Sequence, residues 1–184
     1  LLWNDRLPKK EELITFSKEL HKEVALKPET VKLVSALPTE GVHPMSWLRT
    51  AVSMLSLWDP DANATDEAGK HRLAIRLTAK TGSLVALFHR IREGKGYVSP
   101  NSEKSIAWNF LYMLKGEEPD PEVEKVFDTC LILHADHELN CSAFAARVTA
   151  SSLSDIYSAV VSEISDLKGL LHGGANEQVM RTLN

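Results

Sequence analysis

The 184-residue sequence lacks most of the marks that assign a chain to a specialised class. No run approaches the roughly 18 consecutive apolar residues of a membrane-spanning helix. Only two cysteines occur, Cys130 and Cys141, both in apolar helical context. They read as small buried hydrophobes of a reducing, cytoplasmic compartment, and two widely separated single cysteines cannot make a zinc ribbon. No basic stripe stands out, and 21 Lys and Arg against 25 Asp and Glu give a formal net charge of -4. That balance argues against nucleic acid or an anionic membrane as partner. Asn-Gly and Asp-Gly pairs are missing, as is any sustained period-two alternation, so the signals of hairpins and sheets are weak. Neither Ser nor Cys sits in a G-x-S-x-G elbow, which sets aside that class of nucleophile. There is no initiator Met and no basic region with a cleavage site. The chain opens L-L-W-N-D-R-L-P, an apolar start that reads as the tail of a helix whose beginning is absent.

What is present is ordinary and helical. With 43% hydrophobic and 25% charged residues, the chain can form one domain without disulfide or metal staples. A chain of this size buries about 70% of the surface its unfolded form exposes. Apolar residues recur at helical spacing throughout. Pro8, Glu11 and Glu12 open a helix carrying Leu13, Ile14, Phe16, Leu20 and Val24, and Pro28 opens a shorter one through Val34. His43-Pro44 starts a third, with Met45, Leu48, Val52 and Leu55 on one face, until Asp59, Pro60 and Asp61 break it. The longest periodic run spans 66–92, where Gly82 predicts a kink or a close helix contact. Further helices are predicted from Ser102 to Gly116, Val123 to His137, Asn140 to Ser152, Ser154 to Asp166, and from near Ala175 onward. The predicted fold class is all-α.

Two clusters hold side chains suited to chemistry. In H-A-D-H-E-L-N, His134 and His137 stand three apart on one face at a helix C-terminus. With Asp136 and Glu138 they could hold a metal, though the spacing is not that of the common zinc-protease helix. On the residues alone, the alternative is histidines hydrogen-bonded to helix ends. In L-H-G-G-A-N-E, His172 precedes Gly173-Gly174, and Asn176 caps or begins a final helix. Two glycines allow a sharp turn and close approach to a ligand, and a helix N-terminus suits an anion or an enolate oxygen. A plain glycine turn between helices is the other reading. His43 is expected to cap its helix, and Met45, Met54, Met113 and Trp108 to pack in the core.

Taken together, five stretches in order resemble the citrate synthase family. They are L-L-W-N-D-R-L-P-K-K-E-E-L, V-H-P-M-S-W-L-R-T-A-V-S, N-F-L-Y-M-L-K-G-E-E-P-D-P, L-I-L-H-A-D-H-E-L-N-C-S-A-F-A-A-R-V and L-L-H-G-G-A-N-E. The resemblance is strongest to the bacterial and archaeal branch that includes 2-methylcitrate synthases. It implies a multi-helical large-domain bundle, truncated before the small domain. Residues 1–171 would form that domain, incomplete at its N-terminal side, and residues 172–184 the hinge and first helix toward the small domain. It implies condensation of acetyl-CoA, or alternatively propionyl-CoA, with oxaloacetate, then thioester hydrolysis, with no metal and no cofactor beyond the CoA thioester. By resemblance His172 and His137 are catalytic, His172 as the donor to the enol or enolate oxygen. His137 and Asn140 would bind oxaloacetate, and Leu171 and Gly173 the acyl-CoA. The family's third histidine, catalytic aspartate and carboxylate-binding arginines have no counterpart here, so this length alone is expected to be inactive. A homodimer is implied, and Ala143, Ala145, Ala146 and Ala150, with Ser142, Ser151 and Ser152, make a face of small side chains suited to its contact; the other reading is that they pack against this chain's own long helix. A non-catalytic helical dimerisation domain is the alternative from another class.

Overall fold

The computed structural model describes residues 1–136 and 138–183, the side chains of Asn176 and Leu183 excepted. Among the described residues there is no strand, and the chain is all-α. The helices are α1 (Lys10–Lys22), α2 (Pro28–Ser35), α3 (Pro44–Leu55), α4 (Glu67–Arg92), α5 (Ile106–Lys115), α6 (Pro121–Leu133), α7 (Cys141–Ser151), α8 (Ile156–Leu167) and α9 (Gly173–Leu183). A 3-10 turn, Ser56–Trp58, extends α3. No described helix is long and apolar enough to cross a membrane.

Local chemistry explains most of these boundaries. A helix leaves its first N–H groups without partners, and short polar side chains supply them. Asp66 accepts from Gly69 N–H at 2.9 Å, Ser105 from Trp108 N–H at 3.0 Å and Asp155 from Ser158 N–H at 2.9 Å. His43 does cap α3, its Nδ1 accepting from Met45 N–H at 3.1 Å. Proline occupies the first position of α2, α3 and α6, where no N–H is needed. Gly116 ends α5 at φ +85°, a left-handed conformation that glycine adopts freely. α6 stops at Leu133, four residues before His137, and the His134 ring folds back over its last turn. A carbonyl can only accept, so His134 Nδ1–H donates to Cys130 O, at 2.7 Å.

α4, 26 residues and about 39 Å long, is the spine. One side of it, with Leu73, Leu77, Leu84, Leu87 and Phe88, joins Val34 of α2, Trp47, Val52 and Leu55 of α3, and Tyr157 and Ile164 of α8 in the main core. A smaller cluster joins Val24, Ala79, Ala86 and Met113. Gly82 does not interrupt α4. A Cβ there would sit 3.6 Å from Phe110 of α5, so the glycine marks a close helix contact. Trp108 and Met113 are buried, and Met45 and Met54 pack on the core as expected. The cysteines do not: Cys130 and Cys141 are both exposed. The reason is that α6 buries no side chain and α7 buries only Ser142, so apolar context there does not mean burial.

The residues that break the third helix have a structural task. Arg76 of α4 donates from Nε and Nη2 to the two oxygens of Asp59, at 2.7 and 2.6 Å, and Nη2 also reaches Asp61. Tyr157 of α8 donates to Asp59 at 2.7 Å, so one carboxylate ties the loop to two core helices. Burial pushes the Asp59 carboxyl up, but donation from Arg76, Tyr157 and the Asp61 N–H outweighs it and holds the acid below its ordinary range. A depressed folded-state value gives stability that is complete above the unfolded value of about 3.9 and is lost as pH falls through the folded one. Asp59→Asn is therefore expected to cost about 3 kcal/mol at neutral pH and to flatten the acid limb of stability. Urea melts of both proteins at pH 7 and near pH 3 check this, and equal midpoints at pH 7 would refute it.

Candidate active site

α7 and α8 pack side by side as a helical hairpin, closed by a turn in which Leu153 takes φ +63°. A hairpin brings the start of its first helix to the end of its second. Residues 140–142 therefore meet residues 166–172, although some thirty positions separate them in the chain. This pairing builds the site.

On the α7 side, Asn140 is the cap: its Oδ1 accepts from Ala143 N–H at 2.7 Å. The loop before it is held by Asp136, which accepts from Glu138 N–H at 3.1 Å, and by Glu138 O, which accepts from Asn140 N–H at 3.0 Å. Glu138 takes φ +54°, a costly conformation for a residue with a Cβ. His137 lies outside the described residues. On the α8 side, the chain turns at Gly169, whose carbonyl accepts from the His172 and Gly174 N–H groups at 3.0 and 3.1 Å. Helix α9 then begins at Gly173, two residues earlier than predicted. Asn176 consequently falls inside it. A Cβ on Gly173 would stand 2.0 Å from Leu167 O, so the start of α9 can approach the end of α8 only with glycine there. The close approach foreseen for this pair is to the chain's own backbone. Leu171, between them, is fully exposed at 101%.

His172 and Asn140 are brought together through a residue that sequence reasoning missed. Ser142, 3% exposed, lies 3.1 Å from His172 Nε2 and 2.8 Å from Asn140 Oδ1. The Asn140 oxygen takes the Ala143 N–H, and Ser142 bridges that oxygen to the imidazole at Nε2. No described residue hydrogen-bonds Nδ1. Ser142 was legible only as one of several small α7 residues, and nothing short of the hairpin pairing singles it out.

A second group was also missed. Asp166, on the last turn of α8, accepts from the Cys141 thiol at 3.4 Å. That contact, with the carboxylate's charge, pushes the thiol up from its ordinary range. The other oxygen of Asp166 is buried, has no hydrogen-bond partner, and stands 3.8 Å from His172 Nε2. The ring keeps 26% of its side-chain surface exposed, enough for a ligand to reach it. Elsewhere, a cavity of about 200 Å³ lined by Glu23, Asp59, Arg76, Lys80 and Tyr157 includes neither His172 nor Asn140. In it Asp59 is paired with Arg76 and Glu23 with Lys80.

A family model described as citrate synthase, C-terminal domain, matches residues 1–184. The chain belongs to the citrate synthase family. It is 51% identical over 183 residues to citrate synthase 2 of Bacillus subtilis, covering all of this chain and 49% of that protein. It is 42% identical over 183 residues to the 2-methylcitrate synthase of Mycobacterium tuberculosis H37Rv, covering 46% of it. The crystal structure of citrate synthase from Pyrobaculum aerophilum superposes with a TM-score of 0.87 at 41% identity, over 96% of this chain and 46% of that one. The chain thus spans about half the length of these citrate synthases.

Proposed function

We propose that the protein acts in the condensation of acetyl-CoA with oxaloacetate. The methyl carbon of the thioester loses a proton and the enolate attacks the ketone of oxaloacetate. Water then cleaves the thioester, releasing citrate and CoA. The observation that carries the reading is the hydrogen-bonded chain from His172 through Ser142 to Asn140. It fixes an imidazole rigidly at the start of a helix, with an edge still open to a ligand. A donor preorganised where charge develops is what enolate formation requires, because little reorganisation is then needed as the proton leaves. In this reading His172 faces the thioester oxygen, and His137 and Asn140 hold oxaloacetate. Leu171 and Gly173 border the acyl-CoA, residues 1–171 form the large domain, and residues 172–184 lead toward a small domain. The reaction needs no metal or further cofactor, and two copies form the working unit.

Propionyl-CoA is the second acyl donor to weigh, because the relatives include both a citrate synthase and a 2-methylcitrate synthase. An added methylene in an apolar pocket changes discrimination by only about ten- to two-hundredfold, so the two donors have to be compared directly. The full-length gene product is expected to turn over acetyl-CoA with the higher kcat/KM. Thiol release from each thioester with oxaloacetate checks it. Preference for propionyl-CoA would assign the 2-methylcitrate reaction instead, and release from neither would refute the reading.

A further inference from the structure

We infer, on the reading of the site just proposed, that Asp136 is a positioning residue. It holds Glu138 in a left-handed backbone and so sets Asn140, which begins the hydrogen-bonded chain to His172. Glu138 takes φ +54°, a region that a residue with a Cβ enters only at a cost. Such a conformation persists only where its surroundings over-determine it. Packing does not do so here. Asp136, Glu138 and Leu139 are all exposed, Leu139 at 59%, and neither core cluster includes them.

Hydrogen bonds hold the turn instead. The Glu138 N–H donates to Asp136 Oδ1 at 3.1 Å, and the Glu138 carbonyl accepts from the Asn140 N–H at 3.0 Å. A side chain that takes the N–H two residues on closes a turn by itself, and aspartate and asparagine both have the reach to do so. Among the described residues, Asp136 is the one side chain that hydrogen-bonds the Glu138 backbone. The loop is pinned at both ends. His134 Nδ1–H donates to Cys130 O on α6, and Asn140 Oδ1 caps α7 and meets the Ser142 hydroxyl. Between these pins the left-handed turn decides how Asn140 enters α7. Without Asp136, Glu138 can return to an ordinary backbone, and the arrangement seen here becomes a minority state. A protein whose competent state is only partly populated binds its ligand more weakly in proportion to that fraction. Bound substrate restores the arrangement, so affinity suffers and turnover at saturation does not.

The test is a double-mutant cycle in the full-length gene product, with Asp136→Ala measured beside native Glu138 and in the Glu138→Gly background. Glycine takes positive φ freely, so it removes the cost that Asp136 offsets. Any role of the Glu138 side chain itself cancels in the cycle. Beside native Glu138, Asp136→Ala is expected to raise KM for oxaloacetate about tenfold and to change kcat by less than about threefold. In the Glu138→Gly background the same substitution should raise KM by less than about threefold. Asp136→Asn keeps the acceptor in place and should retain most of the affinity. Asp136→Glu keeps a carboxyl group but moves it off the N–H, and should behave as the Ala variant. Amide hydrogen exchange at Glu138 and Asn140 should quicken in Asp136→Ala and not in Asp136→Asn. An equal KM rise in both backgrounds, unchanged exchange in Asp136→Ala, or an Asn variant as impaired as Ala would overturn the inference. Asn140→Ala tests the site apart from Asp136. If it leaves both kcat and KM unchanged, the reading of the site fails. If it alters them while Asp136→Ala does not, the inference about Asp136 alone fails.

Discussion

His172→Ala is expected to lower kcat of the full-length gene product by about a hundredfold or more, the usual loss when one oxyanion donor is removed. KM for oxaloacetate should move by less than about threefold, because an interaction formed only as charge develops contributes little to ground-state binding. The magnitude follows from the mounting of the ring. His172 is held through its backbone N–H to Gly169 and through Nε2 to buried Ser142, so in the folded protein it needs little reordering to meet an oxyanion. Ser142→Ala should then produce a weaker form of the same defect. The ring stays but loses its anchor, and Asn140 still caps α7 through Ala143 N–H. Steady-state kinetics with saturating acetyl-CoA separates the two parameters. A His172→Ala enzyme with near-normal kcat, or with its whole loss in KM, would remove His172 from the reaction.

How much of this was legible in advance depended on whether the deciding contact is local. Helix starts at Asp66, Ser105 and Asn140 and the stop at Gly116 follow from side chains acting within four residues, and they fall near where periodicity places them. The His134–Cys130 bond is equally local and is the helix-end bond that one reading of the histidine cluster gave, while α6 itself ends four residues before the predicted His137. Contacts across the fold were invisible. Asp59 reads as a helix breaker, and its bond to Arg76 exists only once α4 lies beside the loop. Likewise Ser142 and Asp166 become parts of a site only when α7 and α8 close into a hairpin. The cysteines failed for the opposite reason. Cys130 and Cys141 lie among apolar neighbours that this chain leaves in water, so local context predicted burial that the fold does not supply.

Those uncovered apolar side chains give the second large effect. On α6, Val123, Val126, Ile132 and Leu133 are exposed, and on α7 so are Phe144 and Val148, which stand four apart on one face. Of the small residues expected to form the contact, Ala150 is exposed. Ala143, Ala145 and Ala146 are half-buried and Ser142 is buried, on the helix that packs along α8 of the same chain. A charge at Ala146 would therefore disturb the hairpin as much as any interface. The bulkier outward residues make the cleaner test. An apolar side chain moved from water into a contact gains about 1.5–3 kcal/mol, and under two-fold symmetry each residue counts twice. Val126→Glu with Phe144→Glu would remove four such groups per dimer and bury four charges in their place. The full-length gene product is expected to sediment as a dimer at micromolar concentration, and the double variant as a monomer with unchanged helical circular dichroism. A folded wild-type monomer at that concentration, or a double variant that still dimerises, would show that α6 and α7 meet something other than a second copy.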